Sequence, residues 1–133
     1  MPAKPQNDPP RPTEAELEIL TVLWSQGPAT VREVHDTIAR RRPGQQYTTV
    51  LKLLQIMAEK GLVERDEKQR AHIYRSARPR EWTQRQIAGD LLQRAFGGSA
   101  KSLLVGALTA KKTSKQELAE IRKLLDEYEG SSR

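Results

Sequence analysis

Ala29-Thr-Val-Arg-Glu-Val-His35, Tyr47-Thr-Thr-Val-Leu-Lys-Leu-Leu-Gln55, Lys60-Gly-Leu-Val-Glu-Arg65 and Ala71-His-Ile-Tyr-Arg-Ser76 are the stretches that decide the fold. Read for apolar periodicity they give helix, helix, strand, charged turn and strand. Thr30 and Glu33 have the spacing of a capping box, so a helix starts at Thr30 and runs to about Arg41. Val31, Val34, Ile38 and Ala39 are its inward residues, and His35 is expected on the solvent side. The next helix is predicted from about Thr48 to Lys60, with Tyr47 just before it and Gly61 as its C-cap. Val50, Leu53, Leu54 and Met57 form its buried stripe, and Thr48, Thr49, Lys52, Gln55 and Glu59 fall on the opposite face. A strand over 63–66 follows, then a tip over 67–70 and a return strand over 72–76 with Ile73 on one side and His72 and Tyr74 on the other. Ala29-Thr30 is expected to pair with this hairpin.

Working outward, Thr13 and Glu16 make another capping box. Leu17, Ile19, Leu20, Val22, Leu23 and Trp24 supply the apolar face of the helix that follows, which Gly27-Pro28 ends. Residues 13–78 therefore read as a winged helix-turn-helix. Residues 1–12 hold five of the eight prolines and no apolar period, the mark of a disordered tail. Beyond Pro79 the chain changes character. Residues 79–129 carry three helical patterns with wide apolar faces, broken by Gly97-Gly98 and by the polar stretch after Ala110. The fold class is mainly α with a small β-hairpin, an N-terminal winged helix plus a C-terminal three-helix domain.

Charge is distributed unevenly. The chain carries +6 overall, with 23 basic and 17 acidic residues. Between Thr13 and Ala39 there is one basic residue, Arg32, against Glu14, Glu16, Glu18, Glu33 and Asp36. Between Arg40 and Arg75 nine basic residues face four acidic ones. The basic half coincides with the second helix of the motif and its hairpin, a polarity that steers and orients a protein on a phosphate backbone. Thr, Lys and Gln near the start of a helix are the side-chain types that read base edges in the major groove. Thr48, Thr49, Lys52 and Gln55 are accordingly the candidate reading residues, and Tyr47, just before the helix, is placed to reach a phosphate or a base. Arg65, Lys68 and Arg70, with Arg75, are candidates for backbone or minor-groove contact. Arg70 at the tip is the strongest of them, since Asp66 and Glu67 balance Lys68 locally. The alternative for this face is an ordinary solvated surface on a winged-helix protein-interaction module without specific DNA binding. The basic hairpin argues against it.

Other chemistry finds no support. The chain has no cysteine, which excludes disulfides, thiolate metal sites and cysteine nucleophiles. There is no Gly-rich phosphate loop, no paired carboxylate constellation and no cluster of histidines with acids, so no enzyme, cofactor or metal centre is expected. No apolar run approaches the ~18 residues of a membrane span, and a cytoplasmic protein is expected.

The last fifty residues point to a second copy of the chain. Three helices of this size could not bury their own apolar faces. Leu91, Leu92, Phe96, Leu103, Leu104, Leu108, Leu118, Ile121, Leu124 and Leu125 are the expected dimerisation residues. Two-fold symmetry also matches palindromic operators, whose half-sites lie about 34–36 Å apart per helical turn.

Several stretches resemble the penicillinase-repressor (BlaI/MecI/CopY) family over about residues 11–128. They are Leu17-Glu-Ile-Leu20 with Leu23-Trp24, Thr30-Val-Arg-Glu-Val34, Tyr47-Thr-Thr-Val50 with Leu53-Leu54, Lys60-Gly-Leu-Val63, Phe96-Gly-Gly-Ser99 and Lys101-Ser-Leu-Leu104. The last two lie outside the DNA-binding module and separate this family from other winged helices. The resemblance implies a homodimeric DNA-binding transcriptional repressor that occupies a palindromic operator. It also makes a membrane-sensor metalloprotease a candidate partner. Members near beta-lactam resistance genes are inactivated by cleavage at an Asn-Phe bond in the short apolar helix. The matching position here is Gly106-Ala107, a possible cleavage region of different sequence. Copper-responsive members carry C-terminal cysteines, which this chain lacks.

Overall fold

A computed structural model describes residues 11–131. The proline-rich tail expected over 1–12 lies, up to residue 10, outside the described residues. In chain order the elements are α1 (Glu14–Gln26), α2 (Val31–Arg41), α3 (Tyr47–Lys60), β1 (Val63–Asp66), β2 (Ile73–Ser76), α4 (Arg80–Ala95), α5 (Ala100–Ala110) and α6 (Lys115–Ser131). The mostly helical fold with one antiparallel hairpin agrees with the expected class. The chain divides into two compact units, one up to Ala88 and one from Gly89. The division falls inside α4, because Thr83 near its start is buried in the first unit.

Both capping boxes are complete. Thr13 accepts from the Glu16 N–H while the Glu16 carboxylate accepts from the Thr13 N–H. Thr30 and Glu33 repeat the arrangement at α2. Each satisfies donors that a helix start otherwise leaves open and contributes about 1 kcal/mol. Gly27, at φ +85°, ends α1. Gly61, at φ +81°, ends α3 in the left-handed conformation, with the Leu62 N–H closing on the Met57 carbonyl at 2.9 Å.

The core of the first unit joins Ile19, Leu20, Val22 and Leu23 of α1 to Val31, Val34 and Ile38 of α2 and Val50, Leu54 and Met57 of α3. Leu53, expected among the buried stripe, is only half-buried against it. The hairpin is antiparallel, pairing Val63 with Ser76 and Arg65 with Tyr74. Ala29 adds the expected third partner, exchanging backbone hydrogen bonds of 2.9 and 2.8 Å with Tyr74. That bridge draws Tyr74 into the core at 1% exposure, while Ile73 is half-buried and His72 exposed. Trp24 closes the same corner, its indole N–H donating to the Ser76 hydroxyl at 3.0 Å.

In the second unit Gly97 and Gly98, at φ +56° and +82°, turn the chain from α4 into α5. Ser99 caps α5 by accepting from the Ser102 N–H, and Ser114 accepts from the Glu117 N–H at the start of α6. Among the described residues from Gly89 onward no residue is buried. Leu91, Val105, Leu124, Leu125 and Tyr128 are between 43% and 67% exposed. No helix of the described residues is long and apolar enough to cross a membrane.

Candidate nucleic-acid interface

Helix α3 sets its faces by period. Val50, Leu54 and Met57 are buried at a three-to-four-residue spacing, so Thr48, Thr49, Lys52 and Gln55 fall on the exposed side, while Tyr47, three residues before Val50, continues the inward stripe and is 39% exposed only because it stands at the helix start. Four of the five candidate residues thus share one surface, and the fifth, Tyr47, has its ring against His35 and Arg32 of α2. Tyr47 lies in the first turn of α3 rather than before it. Gln46 is the N-cap and makes no side-chain capping bond, so the helix start differs from the boxed starts of α1 and α2. Ile56, near the far end, is 36% exposed.

The hairpin carries the other candidates. Arg65 lies opposite Tyr74 in the register and pairs with Glu67 at 2.6 Å. The Tyr74 hydroxyl and then the Glu67 carboxylate stabilise the charged guanidinium and raise its pKa. Arg65 is therefore committed to the hairpin before any ligand arrives. Asp66 accepts from the Lys68 backbone N–H at 2.9 Å and its other oxygen lies 3.7 Å from Arg75. The Lys68 ammonium and the Arg70 guanidinium remain exposed at the tip with no ion pair among the described residues. Of the three arginines that close α2, Arg42 at the C-cap pairs with Glu18 of α1 at 3.0 Å, while Arg40 and Arg41 stay exposed in the last turn.

His35 departs from the expectation of a solvent-facing side chain. It is 20% exposed, and its Nε2–H donates to the Gln45 carbonyl at 2.7 Å. The ring meets Tyr47 edge-on. The helical period holds part of the signal, since His35 stands four residues after Val31 and three before Ile38, at the edge of the inward face of α2. The missed signal is local: a half-polar ring on α2 placed before an aromatic at the start of α3.

The arrangement offers an exposed polar face on α3, a hairpin tip whose Lys68 and Arg70 have no ion pair among the described residues, and an acidic α1 whose Glu16 and Glu18 are paired with Lys60 and Arg42. This suits a polyanion with readable edges. Comparison with known proteins gives the family. The family model described as penicillinase repressor matches residues 12–127. The chain is 36% identical over 94 residues to the transcriptional regulator BlaI of Mycobacterium tuberculosis, in strains CDC 1551 / Oshkosh and ATCC 25618 / H37Rv alike. The matched region covers 69% of this chain and 67% of each relative.

Proposed function

The chain belongs to the penicillinase-repressor family of transcriptional repressors, and from that premise we propose that it binds a palindromic operator as a homodimer. Each protomer lays α3 in the major groove and its hairpin against the flanking backbone. Thr48, Thr49, Lys52 and Gln55 face base edges, and Tyr47 is placed to reach a phosphate or a base. Arg70, Lys68 and Arg65 hold phosphate. Occupancy of the promoter then blocks transcription. The observation that carries this reading is the exposed face of α3 that groups Thr48, Thr49, Lys52 and Gln55, together with the Lys68 and Arg70 cations that have no ion pair among the described residues. Selection from a random-sequence duplex pool tests it: a two-fold symmetric consensus is expected, and enrichment of no sequence would refute it.

Dimerisation belongs to the second unit. With no described residue buried from Gly89 onward, its leucines need a further apolar surface, and an identical unit supplies one with matching geometry. Joining two reading heads multiplies operator affinity, so breaking the dimer releases DNA. A membrane-sensor metalloprotease acting on α5 would do so in the cytoplasm. The Gly106-Ala107 bond lies inside a regular helix, where the Thr109 hydroxyl also bonds the Val105 carbonyl at 2.8 Å. Cleavage there requires α5 to open first.

A further inference from the structure

Tyr47, at the first position of α3, is held by two residues of α2. The ring of His35 meets it with centroids 5.9 Å apart and planes at 72°, and the Arg32 guanidinium carbon lies 5.6 Å from its centroid. His35 is itself anchored by the 2.7 Å bond from its Nε2–H to the Gln45 carbonyl, and Gln45 donates its own N–H to the Arg42 carbonyl at 3.1 Å. This tautomer leaves Nδ1 buried without a hydrogen-bond partner, 3.6 Å from the Asp36 carboxylate. The turn into α3 thus takes its order from α2. No side-chain cap at Gln46 does that work.

From this geometry we infer that His35 is a positioning residue for sequence reading, acting through Tyr47 and the turn, and not touching DNA itself. The inference rests on the operator-binding reading given above. Its physical basis is the different range of the two kinds of contact. A hydrogen bond to a base edge weakens steeply with small changes of distance and angle. Attraction to a phosphate falls only slowly with separation. Loosening the first turn of α3 therefore costs specific binding and spares non-specific binding. His35 is placed to control that looseness, since it contacts the turn through Gln45 and the helix through Tyr47 at once. Truncating it removes one edge-on ring contact and one hydrogen bond.

The test uses the full chain, the duplex it selects from a random pool, and a scrambled duplex of the same length. His35→Ala should weaken binding to the selected duplex about tenfold, the size of one ring contact and one hydrogen bond together. Binding to the scrambled duplex and the salt dependence should stay unchanged. In a Tyr47→Ala background, His35→Ala should add less than about twofold, because the two residues act as one unit. Equal losses on both duplexes, or additive losses, would overturn the inference while leaving operator binding intact. Should His35→Ala fail to fold, His35→Gln replaces it, since it keeps a side-chain amide that can donate to the Gln45 carbonyl while removing the ring against Tyr47. That variant should lose the selected duplex with its melting temperature unchanged, and full retention of binding would overturn the inference. If the wild-type chain selects no sequence, the operator-binding reading falls, and this inference with it.

Discussion

Lys60 Nζ lies 2.7 Å from Oε1 of Glu16, a carboxylate whose side chain is 3% exposed, so the last turn of α3 is tied to the first turn of α1. Burial pushes the Glu16 carboxyl up. The Lys60 ammonium and the Thr13 N–H outweigh it and hold the group below the usual carboxylate range. The same carboxylate completes the α1 capping box, so one buried charge serves both the helix start and the contact between two helices.

Stability should therefore depend on acid in a defined direction. The folded pKa of Glu16 is depressed, so its contribution is complete above the ordinary value of 4.5 and is lost as pH falls through the lower folded value. Glu16→Gln should flatten that part of the stability profile in denaturant titrations at a series of pH values. Lys60→Met should cost about 2 kcal/mol at neutral pH, less than the full loss of a buried partner because Lys60 is itself 34% exposed and water can reach the site. An unchanged acid profile in Glu16→Gln would remove the assigned role.

Thr49 and Arg70 should separate reading from grip. Thr49→Ala should cost about 1–3 kcal/mol on the selected operator and little on random duplex. Arg70→Ala should weaken both and reduce the salt slope by about one unit. Arg65→Ala should reduce the slope less, because Glu67 already partners that guanidinium. Fluorescence anisotropy across a salt series measures all three.

Leu124 is 50% exposed within one chain, so Leu124→Asp should leave the protomer's own packing intact. In a dimer it would bury an unpaired carboxylate. Sedimentation should give a monomer at concentrations where the unaltered chain is a dimer, and operator affinity should fall while the helical content holds. A dimeric Leu124→Asp chain would rule out this face as the interface.

Gly106 lies under Phe96: an added Cβ would meet Cε1 and Cζ of the ring at 3.4 and 3.5 Å, ordinary contact distances. Gly106→Ala should then stabilise α5 by up to about 1 kcal/mol through helix propensity. Melting should rise, and limited proteolysis between α5 and α6 should slow. A drop in stability would mean that Phe96 cannot give way.

Much of the fold was legible in residue order because its determinants are local. A capping box needs only Thr and Glu three residues apart, as at Thr13–Glu16 and Thr30–Glu33, and both formed. A helix period of 3.6 places Val50, Leu54 and Met57 inward and so forces Thr48, Thr49, Lys52 and Gln55 outward. The strands of the hairpin followed from alternation and from the charged tip between them.

What residue order alone determined, then, is the succession of elements, the boxed starts of α1 and α2, and which face of α3 is polar, since each depends on neighbours a few residues apart. Tertiary structure alone decided the rest. Four residues of β2 alternate too briefly to say which side is inside; the bridge from Ala29, far away in sequence, turned Tyr74 inward. Trp24 and Ser76 are 52 residues apart and meet only because α1 packs on the hairpin. His35 stands at the edge of the inward face of α2, and the turn through Gln45 and the ring of Tyr47 are what cover it. Contacts between separate elements depend on how those elements dock, and docking is decided by the whole core at once.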